Sequence, residues 1–196
     1  MTSEFFETIK VLDAKHFNVA YHQQRYENVL KAFGTVNFLD LSSLFNAPKK
    51  GLYRCRIRYN TKGLLGIQYI SYEKKDVKSL KIVYDDTIEY KYKSSSRASL
   101  NTLLEKKSTC DEILIVKNGL ITDTSIANIA LFKEGIWYTP KTVLLEGTTR
   151  ARYLKEKKLV LNDISVDELD EYESVALLNA MVDFDIIRKK GTLFVK

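Results

Sequence analysis

The sequence has few of the residues that break or crosslink a chain. Its 196 residues include two prolines, eight glycines and two cysteines. So little proline and glycine leaves no room for a long low-complexity linker. Cys55 and Cys110 are too few, and too far apart along the chain, for a disulfide framework or a cysteine-based metal site. So few cysteines suit a reducing compartment.

Long apolar runs and targeting signals are missing too. No uninterrupted apolar segment is long enough to cross a bilayer, and residues 1–7 show no basic stretch followed by an apolar one. We therefore expect a soluble cytoplasmic protein with no membrane partner. His16 and His22 have no cysteine or carboxylate at metal-ligand spacing, so no metal site is expected.

The charge is moderately positive. Lysine and arginine number 31 against 25 acidic residues, a formal net charge of +6. The basic residues stand close to acidic ones along the chain, as on a solvated surface, and no nucleic-acid-binding signature accompanies them. We expect a small-molecule substrate and no nucleic-acid partner.

The remaining composition is that of a globular protein, with 45% hydrophobic and 29% charged residues. Patterns of period two and near 3.6 alternate along the chain, which predicts a mixed α/β fold. We divide it into a small α/β lobe over 1–88 and a larger lobe over 89–196.

In the first lobe the patterns predict a strand over 5–11, a helix over 20–33 and a second helix over 39–45. His22 and Arg25 share one face of the first helix, which we take as its exposed side. The segment 51–59 alternates arginine with apolar residues and predicts a strand with all its arginines on one face. That face is either solvated or meets anions.

In the second lobe a helix is predicted over 99–107, with Ser95 or Ser96 as N-cap. Strands are predicted over 112–116, 128–132, 135–139 and 174–178, and a helix over 148–158. A last hairpin is expected to turn at 189–191.

Lys93 follows a strand-like run, Tyr90 to Tyr92, and precedes the helical one. Taken alone, one lysine among so many is typical of a solvated surface. Three further short stretches follow it: 122–129, 146–150 and 178–181. In this order the four stretches resemble the fold-type IV pyridoxal 5′-phosphate (PLP) enzymes, which are the class IV aminotransferases and the related aminodeoxychorismate lyases.

The resemblance implies a two-lobed PLP enzyme whose C-terminal lobe is a β-rich pseudobarrel. It implies Lys93 as the Schiff-base amine and Asp123, where the family usually has glutamate, as the acid against the pyridine nitrogen. The implied phosphate ligands and neighbouring residues are Arg25, Gly147, Thr148, Thr149, Asn179 and Ala180. Free N–H groups at a helix start suit a phosphate dianion, although many helices begin this way. Asp123 could also merely cap a turn.

Several details favour the lyase branch. Lys93 and Arg97 resemble its lysine-x-x-x-arginine pattern, and Ala98 stands where aminotransferases have a tyrosine. Asn179 and Ala180 resemble the lyase form of a pair that is threonine-alanine in many aminotransferases. We expect elimination of pyruvate to give 4-aminobenzoate for folate synthesis.

Candidates for the substrate carboxylates are Arg56, Arg58 and Arg97. The resemblance further implies a homodimer. It starts near Phe6, and family members have a strand and loop before this point. An amino-acid transaminase of the branched-chain or D-amino acid type stays open, as does a non-catalytic binding protein with the same fold.

Overall fold

The computed structural model describes residues 3–188 and 193–195. The chain divides into two compact units. Unit 1 comprises residues 1–74 and 92–96, and unit 2 comprises residues 75–91 and 97–196. The boundary predicted between 88 and 89 differs from this division, since residues 75–88 include a strand that pairs within unit 2.

Unit 1 is built on a four-stranded sheet in the order β2-β1-β3-β4. The pairs β1–β2, β1–β3 and β3–β4 are antiparallel. Asp13 and Ala14 make the tight turn between β1 and β2, with φ angles of 48° and 65°. The strands are β1 Phe5–Leu12, β2 Lys15–His16, β3 Leu52–Asn60 and β4 Gly63–Ser71.

Side chains alternate between the two faces of this sheet. Phe5, Ile9 and Val11 of β1 pack with Cys55 and Ile57 of β3 in the core, and all five are at most 2% exposed. The arginines of β3 take the other face, as the period of two predicted.

Helix α1, Val19–Ala32, covers the apolar face and buries Tyr26, Val29 and Leu30. The helix predicted over 39–45 is a single 3-10 turn, Leu41–Leu44. Asp40 caps this turn by accepting a hydrogen bond from the Ser42 amide at 2.8 Å. The turn is short because only Leu41 is buried.

Unit 2 contains two sheets. One has the order β10-β9-β8-β11-β12 and the other the order β13-β5-β6-β7. Their strands are β5 Leu80–Tyr84, β6 Glu112–Lys117, β7 Leu120–Ile121, β8 Asn128–Lys133, β9 Ile136–Pro140, β10 Val160–Asn162, β11 Ser174–Asn179, β12 Asp183–Arg188 and β13 Phe194–Val195.

Strand β6 is buried on both faces. Ile113 and Ile115 pack with the helical side of unit 2, and Leu114 and Val116 pack with β8 and β11; none of the four has measurable exposure. A run of consecutive apolar residues is typical of this environment.

Unit 2 also contains the α-helices α2 Ala98–Glu105 and α3 Thr148–Lys155 and a 3-10 helix, Val166–Glu171. The predicted serine cap of α2 is wrong. Arg97 occupies the N-cap position without a side-chain cap, and the Ser95 hydroxyl donates to the Glu4 carboxylate at 2.6 Å instead. None of the helices in the described ranges is long and apolar enough to span a membrane.

The predicted last turn at 189–191 lies outside the described residues. Strand β13 pairs in parallel with β5, with Phe194 opposite Leu80. The end of the chain therefore does not return along β12 as a hairpin requires.

Candidate active site

Lys93 is fixed to strand β1 through its backbone. Its carbonyl accepts a hydrogen bond from the Phe6 amide at 2.9 Å, and the Ser95 amide donates to the Glu4 carbonyl at 2.9 Å. Ser94 forms a β-bridge with Phe5. The run before Lys93 is irregular rather than strand-like, and Lys93 is held by β1 instead.

The Lys93 side chain lies over an aromatic ring. Its Nζ atom is 4.9 Å from the centroid of the Phe6 ring, and the Arg56 guanidinium is 4.3 Å from the same centroid. Such cation–π contacts hold a cation without neutralising it. Lys93 and Arg56 thus both contact the Phe6 ring within unit 1.

A buried carboxylate lies on the other face of β1. Glu7 is fully buried and accepts hydrogen bonds from His22 Nδ1 at 2.6 Å and from Arg25 Nε and Nη2 at 2.9 and 2.5 Å. His22 is only 1% exposed, so the expectation that His22 and Arg25 face solvent is wrong. Their spacing of three residues does place both on one face, where they meet Glu7.

The protonation states in this group follow from burial and charge. Burial acts to raise the pKa of Glu7, but the Arg25 charge and the hydrogen bonds from His22 and Arg25 outweigh it and leave that pKa at about 2. Burial lowers the pKa of His22, against the influence of Glu7. At neutral pH Glu7 is therefore ionised and His22 is neutral, with its hydrogen on Nδ1.

Asp123 is the buried acid of unit 2. It is 4% exposed and forms a β-bridge with Asn128. The Leu144 and Leu145 amides each donate to its Oδ2 at 2.9 Å, and the Asn128 amide donates to its Oδ1 at 2.6 Å. Asp123 therefore ties its own loop to the segment that leads into α3.

Burial raises the pKa of Asp123 to about 6, although its N–H donors and the Arg150 charge act in the opposite direction. The pKa of Asp123 is consequently close to neutral pH, and an additional N–H donor would favour the ionised form. A carboxylate has about four acceptor positions, and the three donors found among the described residues leave one open on Oδ1.

Gly147 is required by space rather than by its backbone angles. Its φ and ψ, −74° and 139°, are open to any residue. A Cβ atom there would lie 2.0 Å from the Asn128 Oδ1 atom. The Asn128 side chain cannot turn away easily, because its Nδ2 donates to both Asp123 and the Leu145 carbonyl.

Helix α3 begins directly after Gly147, and no side chain caps it. The first N–H groups of a helix lack intrahelical partners and carry the positive end of its dipole. Thr148 and Thr149 are 7% and 3% exposed. Arg150, also 3% exposed, donates to the Thr139 hydroxyl, the Glu146 carboxylate and the Pro140 carbonyl, and adds positive charge.

Other predicted residues have defined partners. The Asn179 side-chain oxygen accepts from the Met181 and Val182 amides at 2.9 and 3.0 Å, which shapes the turn containing Ala180. Arg97 donates to the Ser125 carbonyl at 2.8 Å and to the Tyr90 hydroxyl at 3.3 Å.

Unit 2 thus joins three of the predicted elements through Asn128, namely Asp123, Gly147 and the start of α3. Unit 1 contains Lys93, Arg25, Arg56 and Arg58. Sequence reasoning missed Glu7, Asn128, Arg150 and the buried Glu112, whose carboxylate accepts from the Ser125 hydroxyl at 2.9 Å. An available signal was the charged Glu7 at the same period-two positions of β1 as the apolar Phe5, Ile9 and Val11.

With this geometry in place, comparison with known proteins identifies the family. The sequence profile of the amino-transferase class IV family matches residues 4–189. The chain therefore belongs to the class IV aminotransferases, a PLP-dependent enzyme family, and has their mixed α/β fold.

Individual proteins are similar to this chain in sequence or in structure. An uncharacterized protein of Haemophilus influenzae is 39% identical over 183 residues, which is 90% of this chain and 96% of that one. The crystal structure of a candidate 4-amino-4-deoxychorismate lyase from Haemophilus somnus 129PT has a TM-score of 0.86 at 38% identity, covering 92% and 97% of the two chains. A hypothetical aminotransferase of Mycobacterium tuberculosis, in its PLP-bound form, has a TM-score of 0.78 at 15% identity, covering 94% and 80%.

The residues present fit PLP on chemical grounds. Asp123 has an acceptor position for a protonated ring nitrogen. The uncapped start of α3, beside the buried Arg150, offers N–H groups and positive charge to a phosphate.

Gly147→Ala should destabilise the protein by about 1–3 kcal/mol, because the new methyl group must displace the Asn128 amide, whose Nδ2 makes two hydrogen bonds. Urea denaturation of the wild type and the variant measures this cost. In an Asn128→Ala background the same change should cost less, since the obstructing amide is gone. Equal costs in the two backgrounds would show that the two side chains do not conflict.

Glu7→Gln should cost about 3 kcal/mol at pH 7, because Arg25 then lacks its buried anion. The folded-state pKa of Glu7, about 2, lies below its ordinary value of 4.5. Its stabilisation is therefore present above pH 4.5 and is lost as the pH falls toward 2. Urea denaturation from pH 7 to about pH 3 should show the wild type and the variant converging in stability.

Glu27→Gln is the matched control, since Glu27 is partly exposed on the same helix and pairs with the exposed Lys31. It should change stability little at any pH. A Glu7→Gln cost that stays constant with pH would contradict the ionised state of Glu7.

Proposed function

We propose that this protein binds PLP and is a lyase of the aminodeoxychorismate lyase type. It would convert 4-amino-4-deoxychorismate to 4-aminobenzoate and pyruvate. The main support is the Haemophilus somnus protein, a candidate enzyme of this kind, at 38% identity over nearly the whole of both chains. The pattern Lys93, Arg97 and Ala98 supports the same branch.

In this proposal PLP supplies an electron-withdrawing ring that stabilises negative charge next to the substrate nitrogen. Lys93 is the amine that binds the cofactor and then moves a proton on the substrate. Its fixed backbone, bonded to Phe6, supports this role because the amine must return to one position.

Asp123 holds the ring nitrogen in its protonated form by accepting its hydrogen bond. The pKa near neutrality and the open acceptor position on Oδ1 support this assignment. The shorter aspartate, in place of the usual glutamate, is held in a fixed position by three N–H donors.

The phosphate is assigned to Gly147, Thr148 and Thr149, with Arg25 contributing charge. Arg25 is already paired with Glu7, so its position is fixed but part of its charge is neutralised. We therefore assign the larger share of phosphate binding to the helix start. Asn179 and Ala180 flank the cofactor in this proposal.

The wider assignments also belong to the proposal. The enzyme would act in the cytoplasm, in folate synthesis, as a homodimer. The family membership itself favours a second candidate, transfer of an amino group between an amino acid and a 2-oxo acid of the branched-chain or D-amino acid type.

The purified protein mixed with PLP should show the visible absorption band of a lysine-bound cofactor. Lys93→Ala should abolish the band, because no other amine occupies that position. Lys91→Ala, two residues away and exposed, is the matched control and should retain it. A band that survives in Lys93→Ala would remove Lys93 from the site, and a wild type that stays colourless would argue for the non-catalytic alternative.

Product analysis separates the two reactions. Incubation with 4-amino-4-deoxychorismate should yield 4-aminobenzoate and pyruvate in equal amounts, because elimination divides one substrate molecule into these two. Incubation with amino acids and 2-oxo acids should yield little exchange of amino groups. Amino transfer without formation of 4-aminobenzoate would replace the lyase assignment by the aminotransferase one.

A further inference from the structure

Glu112 is a buried carboxylate of unit 2 that has no part in the proposed reaction. It is the first residue of β6 and is 4% exposed. Its Oε1 atom accepts hydrogen bonds from the Ile113 amide at 2.8 Å and from the Ser125 amide at 3.3 Å, and its Oε2 atom accepts from the Ser125 hydroxyl at 2.9 Å. Removing a carboxyl group from water costs free energy, which these bonds offset. Two of the three come from Ser125.

Ser125 lies in the loop 123–128, and we call residues 124–127 the loop tip. The tip is a closed turn. The Thr124 amide and hydroxyl donate to the Ala127 carbonyl at 2.9 and 3.0 Å, and the Thr124 hydroxyl accepts from the Ala127 amide at 3.0 Å. These bonds give the tip its shape but join only residues of the tip. The bonds from Ser125 to Glu112 connect the tip to β6.

Two predicted site residues bond to the loop tip. Arg97 donates from Nη2 to the Ser125 carbonyl at 2.8 Å. Asn179 donates from Nδ2 to the next carbonyl along the chain, that of Ile126, at the longer distance of 3.4 Å. The orientations of both side chains therefore depend on where the tip lies.

The ends of the loop are fixed in another way. Asp123 and Asn128 form a β-bridge, and the Ile115 amide of β6 donates to the Asp123 carbonyl at 2.9 Å. Strand β6 thus holds the acid through the backbone and the tip through the Glu112 side chain. The two attachments can be separated by mutation, because only the second depends on a side chain.

The chemistry of the bonds to Ser125 predicts which substitutions keep them. The Ser125 amide can only donate, whereas its hydroxyl can donate or accept. A glutamine at position 112 can accept from the amide with its oxygen and donate to the hydroxyl with its NH₂ group. A methionine of similar length has only a weak acceptor, so it leaves the buried donors of Ser125 without a partner.

We propose that Glu112 is a positioning residue, which holds the loop tip through Ser125 and thereby orients Arg97 and Asn179 in the candidate site. This rests on the proposed function for what those two side chains do, but the link from Glu112 to the tip does not depend on it. Because β6 holds Asp123 separately, loss of Glu112 should disturb Arg97 and Asn179 and leave the acid in place.

The first experiment needs no cofactor. In the ¹⁵N-labelled protein, the side-chain N–H signals of Arg97, identified by their loss in Arg97→Lys, are compared between variants. They should shift in Glu112→Met, because the Ser125 carbonyl has moved, and stay near their wild-type positions in Glu112→Gln. Val116→Ala, which opens a cavity near the other end of β6, is the control for lost stability and should leave them in place.

Ser125→Ala removes only the hydroxyl bond and should shift the same Arg97 signals by a smaller amount. It keeps the test available if Glu112→Met does not fold. Arg97 signals that stay at their wild-type positions in both variants would overturn the proposal. So would equal shifts in Glu112→Met and Val116→Ala at similar urea midpoints, since lost stability alone would then explain them.

The second experiment uses the PLP-loaded enzyme and the substrate that it turns over. Glu112→Met should lower kcat/KM about tenfold to hundredfold, the loss expected when a site group moves by about 1 Å, and should keep the Lys93-dependent absorption band. Glu112→Gln should recover most of the activity, and Val116→Ala should lose little. Glu112→Met combined with Ser125→Ala should cost no more than Glu112→Met alone, because both changes break the same link.

Activity losses that multiply in the double variant, or an equal loss in Val116→Ala, would overturn the proposal. The two levels of inference fail separately. A wild type with no Lys93-dependent band refutes the proposed function, and the Arg97 signals still decide whether Glu112 holds the loop tip.

Discussion

The Asp123 carboxylate, buried and surrounded by N–H donors, is the interaction on which the candidate site of unit 2 depends. It accepts from the Leu144 and Leu145 amides and from Asn128, which joins its own loop to the segment entering α3. Asn128 in turn leaves no room for a side chain at Gly147. The hydrogen bonds of Asp123 thus fix its own position and that of the segment entering α3. Burial raises the pKa of Asp123 to about 6.

Unit 1 also contains a buried carboxylate, but there the pKa is lowered rather than raised. Glu7 is kept ionised at neutral pH by Arg25 and His22, so the buried charge is balanced on the core side of β1. The opposite side of the sheet carries the arginines of β3, of which Arg58 lies near the Glu4 carboxylate. Arg56 and Lys93 both contact the Phe6 ring there. Strand β1 therefore separates a buried ion pair from a positively charged face of the sheet.

Much of the fold could be predicted from the sequence because its signals are local. The alternation of arginines in β3, the continuous apolar run of β6 and the Asp40 cap each depend on residues close in the chain. The predictions that were wrong involve distant partners. Ser95 does not cap α2 because it bonds to Glu4, ninety-one residues away, and the last strand pairs with β5.

The sequence by itself determined the family and most of the helices and strands, and it predicted several residues of the candidate site. Only the tertiary structure decided how those residues are used. It paired Arg25 with a buried Glu7, bonded Arg97 to the Ser125 carbonyl and placed the uncharged Thr8 and Gln68 beside Arg56 in the strand register. The reason is physical, since burial and ion pairing depend on residues brought together from distant parts of the chain, and no local pattern encodes them.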